Sequence, residues 1–336
     1  MRLYKNLITS QLKDTISYNN FWASIAQHVS GKSRIYLSLD GVYNQINLNT
    51  LLQPDGNFLV SDKNLTILSN TKDLLALKGR RVKRLSNSTA SLFGYPTFFL
   101  GKQKIKDITP THERGETLDQ SADTDKTGIR PLVGTQEEIK KVEAILRGHK
   151  LSTFSFTDEH ATEAEIKRVN HPRVLHIATH GFFIDEKNKD DKWQTGDDQN
   201  PLLRSGLLLT GASNFLQNRV QLEDENGILT AYEAANLNLD NTDLVVLSAC
   251  ETGRGEVQNG EGVYGLQRAF QTAGVQSIIM SLWKVDDDAT QQLMISFYSN
   301  WMSGLNKAEA LKAAQLELGK KYPHPYYWGA FVMLEN

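Results

Sequence analysis

The chain has 336 residues, 40% of them apolar, with 37 Lys and Arg against 39 Asp and Glu and a single cysteine, Cys250. Single cores tend to stop growing at about 250–300 residues, so this length predicts one large domain with a smaller part attached. The balanced charge gives no electrostatic footprint for nucleic acid or an anionic membrane, and no apolar run approaches the roughly 18–20 residues of a membrane span. One cysteine excludes an intrachain disulfide, which makes the cytoplasm the default expectation.

The first residues, MRLYKNLITSQLKDTI, read as an amphipathic helix, and helix is expected over residues 1–30. They lack the apolar core and small-residue cleavage site of a signal peptide. Arg34–Leu39 predicts a strand, Asp40-Gly41 a hairpin turn and Val42–Leu48 the return strand. Pro54-Asp55-Gly56 marks another turn and Leu65–Leu68 a short strand. The basic run Lys78–Arg84 reads as a solvated face or, alternatively, as a partner-docking patch. Tyr95–Leu100 is apolar enough for a buried strand. Residues 103–130 hold too few large apolar groups to offset chain entropy and read as a mobile linker.

Thr135-x-x-Glu138 predicts a capping box, ahead of Ile139, Val142, Ile145 and Leu146 on one helical face. Leu151–Phe156 reads as a strand, and Thr162-x-x-Glu165 opens a helix that stops before His171-Pro172. Three nearly continuous apolar runs follow: RVLHIAT at 173–179, LVVLSA at 244–249 and QSIIMSL at 276–282. Such runs mark strands buried on both faces, as in parallel sheets. The charged stretch 185–200 reads as an exposed insertion. Gly262–Ala273 predicts a helix with Gly274 at its C′ position, and Met294, Phe297, Tyr298 and Trp301 line one face of the next. Asn306-x-x-Glu309 opens another helix and Trp328–Leu334 closes the chain as a strand. The alternation predicts an α/β fold, a mainly parallel sheet with helices on both faces. No repeat of 20–50 residues is visible, so a solenoid is not encoded.

Two strand ends carry the chemistry. His180 follows RVLHIAT and precedes Gly181; Cys250 ends LVVLSA and precedes Glu251-Thr252-Gly253. In open parallel sheets, ligands sit beyond the carboxyl ends of the strands, so adjacent strands would bring imidazole and thiol together there. The imidazole can take the thiol proton and later protonate a leaving amine. Gly181 admits a substrate carbonyl close to the backbone, and its N–H with that of Cys250 could hold an oxyanion, worth about 3–4 kcal/mol of barrier. Taken singly, each residue has a plainer use: a buried cysteine as a small apolar filler and a histidine satisfied in the core. His176 and His180 are four apart, a zinc spacing on a helix, but they fall on a strand, so no metal is expected and His176 is assigned a structural role. Gly253-Arg254-Gly255 and Gly260-Glu261-Gly262 complete no phosphate loop, which removes the support for a nucleotide-binding flavodoxin-like domain. After QSIIMSL comes Trp283-Lys284-Val285-Asp286-Asp287-Asp288, where Asp288 caps the next helix or one carboxylate lines a substrate pocket.

HIATHGFF, PLLRSGLLLTGAS, LSACETGRG and GEGVYGLQRAFQTAGVQSIIMSLWKVDDDAT resemble the CHAT domain, a family of the caspase–separase clan of cysteine peptidases. LDGVYNQINLNTLL and LVGTQEEIKKVEAIL extend the resemblance over most of the chain. It implies a caspase-like fold; with the polar stretch 103–130 read as a linker, the chain divides into an N-terminal α+β part over 1–102 and a peptidase core over 131–336. It also implies His180 as base, Cys250 as nucleophile and the N–H groups of Gly181 and Cys250 toward the oxyanion. SLWKVDDD is similar to the separase stretch W-D-V-T-D, which implies Asp287, with Asp286 beside it, as the acid recognising a P1 arginine and hence cleavage after Arg or Lys. The sequence departs from caspases, which carry Q-A-C-x-G against S-A-C-E-T-G here. His180 also lies 70 positions (250 − 180) before Cys250, against roughly 50 in caspases. Family members implicate tetratricopeptide-repeat sensor partners, bacterial defence, regulated cell death and gasdermin-like substrates; no cofactor is expected, and the charge balance leaves no nucleic acid or membrane as a direct partner. Arg114 and Lys126 offer self-cleavage points in the linker. The alternative is a catalytically silent caspase-like signalling module.

Overall fold

The computed structural model describes residues 1–75, 88–101, 129–184, 200–218, 225–250, 252–253, 255–258 and 262–336. Its centre is an eight-stranded sheet in the order β1–β2–β13–β12–β9–β5–β3–β4. The strands are β1 Arg34–Ser38, β2 Asn64–Leu68, β3 Thr89–Pro96, β4 Ser152–Asp158, β5 Val174–Ala178, β9 Leu244–Ser248, β12 Ser277–Ser281 and β13 Phe331–Glu335. Every neighbouring pair is parallel except β12–β13. A three-stranded antiparallel sheet, β6 Gly181–Phe183, β7 Ser205–Leu208 and β8 Ile228–Thr230, grows directly from the end of β5. β10 Glu256–Gln258 and β11 Gly262–Tyr264 form a separate two-stranded ribbon.

The three apolar runs become β5, β9 and β12, and every residue of each is buried. Each fully buried Val, Leu or Ile side chain contributes about 1.5–3 kcal/mol, so these strands dominate the core. The longer helices are α1 Arg2–Thr9, α2 Val133–Gly148, α3 Leu266–Thr272, α4 Asp287–Met302 and α5 Lys307–Lys321. They flank the sheet, with α4 packed between α2 and α5. Met294, Phe297, Tyr298 and Trp301 form the buried face of α4, as their spacing predicts. Gly274 adopts φ +94° one residue past the Ala273 cap of α3, and Asn306 caps α5 by accepting from Glu309 N–H. Among the described residues no helix is long and apolar enough to cross a membrane.

Several local expectations are corrected. Asp40-Gly41 is not a hairpin turn: Asp40 accepts from Gly41 N–H and caps a 3₁₀ turn, Gly41–Gln45, and β1 pairs in parallel with β2. The apolar residues expected in a return strand, Ile46 and Leu48, are buried in the connection instead. The helix over 1–30 is three short pieces, Arg2–Thr9, Ser17–Phe21 and Ala23–Ala26. β3 ends at Pro96, upstream of most of the expected strand 95–100, because Tyr95 takes φ +50° and Pro96 has no N–H for the ladder. α3 starts at Leu266 because Gly262–Tyr264 is taken into the ribbon. The closing strand starts at Phe331, after a helical turn at Pro325–Trp328. The basic run 78–84, most of the linker 103–130 with Arg114 and Lys126, and insertion residues 185–199 lie outside the described residues.

Candidate active site

β5 and β9 pair in parallel from Val174↔Leu244 to Ala178↔Ser248. His180 and Cys250 therefore each stand two residues beyond the same last rung, on adjacent strands. Gly181 confirms how close the two chains run: a Cβ there would sit 2.6 Å from the Cys250 carbonyl oxygen and 3.1 Å from the Thr252 methyl. The backbone of Cys250 itself thus leaves no room for a side chain at position 181. Cys250 and His180 are both buried, each 1% exposed.

His180 is held on two sides. Its carbonyl accepts from Leu208 N–H on β7 at 2.9 Å, and the preceding Thr179 hydroxyl donates to Leu208 O. Its ring packs against Phe98, with centroids 5.4 Å apart. Nε2 lies 2.8 Å from the carbonyl oxygen of Arg130. A carbonyl only accepts, so Nε2 carries the ring proton there, and in the neutral ring Nδ1 is the basic nitrogen. Arg130 was invisible to sequence reasoning because it acts through its main chain and fell inside the expected linker. Ile129 and Arg130 are in fact anchored, since Ile129 N–H also donates to Ser213 Oγ at 3.1 Å. Pro131, which disfavours helix at the residue before it, was the available signal.

The thiol sits in a turn fixed onto β12. Ser281 Oγ donates to Ala249 O, Gly253 N–H donates to Ser281 O at 2.8 Å, and Thr252 Oγ1 accepts from Ser281 N–H at 3.1 Å. Val285 N–H points at Cys250 Sγ, 3.3 Å away. A main-chain donor aimed at sulfur stabilises negative charge on it. Val285 too was missed, for the same reason as Arg130.

The acidic cluster is used differently from expectation. Asp286, not Asp288, caps α4: its carboxylate accepts from Ala289 N–H at 2.8 Å. Asp287, 3% exposed, reaches across to α2, where Oδ2 accepts from Gly134 N–H at 2.6 Å. The Thr135-x-x-Glu138 capping box does not form. α2 begins at Val133 with Leu132 at its N-cap, and the Thr135 hydroxyl, inside the helix, donates to Leu132 O. Glu138 instead turns into the core, where Oε1 meets His176 Nε2 at 2.9 Å; His176 Nδ1 lies 3.1 Å from the Tyr298 hydroxyl. His176 thus belongs to a fully buried polar network. Among the described residues no group of three or more His, Cys, Asp or Glu side chains is arranged for a metal ion.

The thiol thus has a main-chain donor on its sulfur, and the imidazole, from the adjacent strand end, has Nε2 held by a carbonyl. The CHAT domain profile matches residues 1–336. Tetratricopeptide repeat protein 28 of Homo sapiens is 34% identical over 109 residues, and that of Mus musculus 33%; the match covers 32% of this chain and 4% of either relative. The chain thus spans a small fraction of the length of these relatives. The crystal structure of the Arg-specific cysteine proteinase gingipain R (RgpB) superposes with a TM-score of 0.54 over 97% of this chain and 69% of that one, at 10% identity. The complex of Porphyromonas gingivalis RgpB pro- and mature domains gives 0.52 over 98% and 70%, also at 10% identity. The fold is therefore that of caspase-like cysteine proteinases.

Proposed function

This chain belongs to the CHAT domain family, and we propose that it is a cysteine endopeptidase working through Cys250 and His180. The observation that carries the reading is the shared rung Ala178↔Ser248, which sends both residues off adjacent strands at one sheet edge. The thiol proton passes to His180 Nδ1, and Sγ attacks the scissile carbonyl. The developing oxyanion is taken by the N–H groups of Gly181 and Cys250. His180 returns the proton to the leaving amine, and the acyl-enzyme is released by a water that His180 activates in turn. The Arg130 carbonyl orients the ring and stabilises the imidazolium.

The proposed preference is for Arg or Lys at P1, through Asp287 with Asp286 beside it. Two things support it: the likeness of SLWKVDDD to separase, and a shared fold with a proteinase described as Arg-specific. A basic side chain reaching Asp287 would share a carboxylate already engaged by Gly134 N–H. The burial of both Cys250 and His180 supports a resting state that admits small reagents and that a partner opens to protein substrates. A tetratricopeptide-repeat sensor suits that role, in line with the curated relatives. Bacterial defence, regulated cell death, a gasdermin-like substrate and a cytoplasmic setting rest on the family resemblance alone.

The test uses an arginyl chloromethyl ketone and its uncharged counterpart on the purified chain, read by intact mass. With one cysteine in the chain, a single adduct reports Cys250. Faster capture of the arginyl reagent, abolished by His180→Ala, is expected. Capture no faster than by a free thiol, and unchanged in His180→Ala, would favour the silent signalling module. Fluorogenic P1-Arg, P1-Lys and P1-Asp peptides beside Cys250→Ala then grade specificity.

A further inference from the structure

The geometry points to Asp287 as a positioning residue for His180, acting through the N-terminus of α2. This rests on the Cys250–His180 reading and extends it to the group that keeps the base in place.

The Arg130 carbonyl that holds His180 Nε2 belongs to the strap leading into α2. The strap is stiff. Pro131 has a fixed φ. Leu132 is buried, and its carbonyl accepts from both the N–H and the hydroxyl of Thr135. Thr135 Oγ1 in turn accepts from Tyr95 N–H on β3 at 3.1 Å. A displacement at the start of α2 is therefore passed back to Arg130.

What fixes the start of α2 comes from outside the helix. Leu132 at the N-cap offers no side-chain acceptor, and the first N–H groups of a helix need one. Asp287, from the first turn of α4, supplies it through Oδ2 to Gly134 N–H at 2.6 Å. Gly134 is itself explained by this contact. A Cβ there would lie 2.5–2.7 Å from the Asp287 carboxylate atoms, so a residue poor in helix propensity stands where the acid needs room. Glu138, one turn further along α2, is tied to His176 on β5, so that the same helix is pinned to the strand that delivers His180. A basic side chain drawn to Asp287 would load the very carboxylate that seats the base, linking substrate charge to the orientation of His180.

The experiment is long-range ¹H–¹⁵N correlation of the imidazoles in the full chain labelled with ¹⁵N-histidine, with His180→Gln assigning one of the eight rings. Wild type is expected to show a slowly exchanging Nε2–H on His180. In Asp287→Ala that proton should exchange roughly ten-fold faster, while Asp287→Asn, whose amide oxygen still accepts, stays within about three-fold of wild type. The His171 ring, bonded through Nδ1 to Asp240 O far from the strap, should not change. An Asp287→Ala protein with the wild-type His180 signal overturns the inference. If Asp287→Ala does not fold, Gly134→Ala decides: its Cβ displaces the carboxylate, and an unaltered His180 proton again overturns it. A wild-type ring protonated at Nδ1 alone would instead remove the Arg130 contact, and with it the assigned orientation of the base.

Discussion

Gly181→Ala is the sharpest probe of the site, because its effect follows from one close approach. The added Cβ would fall 2.6 Å from the Cys250 carbonyl oxygen. A comfortable carbon–oxygen contact is about 3.3–3.6 Å, so one backbone must yield by roughly 0.7–1 Å. Neither side gives easily. His180 O is bonded to Leu208 N–H and Gly181 pairs with Leu207, while the Cys250 turn is bound to Ser281 through Ala249 and Gly253. Overpacking of this kind costs about 1–3 kcal/mol, a fall of a few degrees in Tm. A misplacement near 1 Å at the reacting centre costs on the order of 10²-fold in rate. The assay pairs thermal melts with kcat/KM on a P1-Arg peptide and iodoacetamide capture of Cys250. Wild-type values in all three would refute the close approach of the two strand ends. A lowered Tm with unchanged capture would refute the link between that contact and the thiol.

Three further outcomes are expected. Glu138→Ala removes the carboxylate that His176 Nε2 meets in the core and should lose about 1–3 kcal/mol in urea unfolding, whereas Glu138→Leu combined with His176→Leu should recover most of it. Asp286→Ala should cost about 1 kcal/mol in the same assay by uncapping α4. Stability should fall as pH rises past 10. Burial pushes the Tyr298 and Tyr4 phenols above their ordinary value of 10, and the Glu138 charge adds to the effect at Tyr298. The unfolded chain then releases protons near pH 10 that the folded chain retains, at about 1.4 kcal/mol per pH unit per ring. Urea midpoints from pH 9 to 11 should show this, with Tyr298→Phe flattening the slope; an unchanged slope in that variant would refute it.

The sheet was legible because its central strands are buried on both faces, and a nearly continuous apolar run marks such a position. VLHIA, LVVLS and SIIMS admit one reading, and His180 and Cys250 could be placed from their ends. Capping and turn signals transferred unevenly. Asn306 behaves as its local pattern predicts, because its acceptor and its target N–H are three residues apart. Thr135 and Glu138 match the same local pattern, yet the fold claims Glu138 for a histidine on β5 and supplies the cap from α4. Asp40-Gly41 likewise matched a hairpin, but β1 found a parallel partner in a strand further along the chain. For Glu138 and for the start of α2 a long-range hydrogen bond in a buried setting outweighed a local alternative, whereas β1 was claimed by the edge of the large sheet.

The same competition explains what stayed hidden at the site. The two side chains proposed to react are Cys250 and His180, but the groups that contact their reactive ends are main-chain atoms: Arg130 O on the imidazole, Val285 N–H on the sulfur. Every residue except proline carries both groups, so residue identity says nothing about where they act. Their placement depends on stiff attachments elsewhere, Pro131 and Leu132 for one, the turn after β12 for the other. It follows that truncating the Arg130 or Val285 side chain leaves these main-chain contacts intact, and an alanine scan would pass over both. Sensitivity should surface instead at residues that move backbone: Gly181, Gly134 and the acid that seats α2. A site of this design is vulnerable to small shifts between elements, which is also what a partner binding the surface would have to produce in order to switch it.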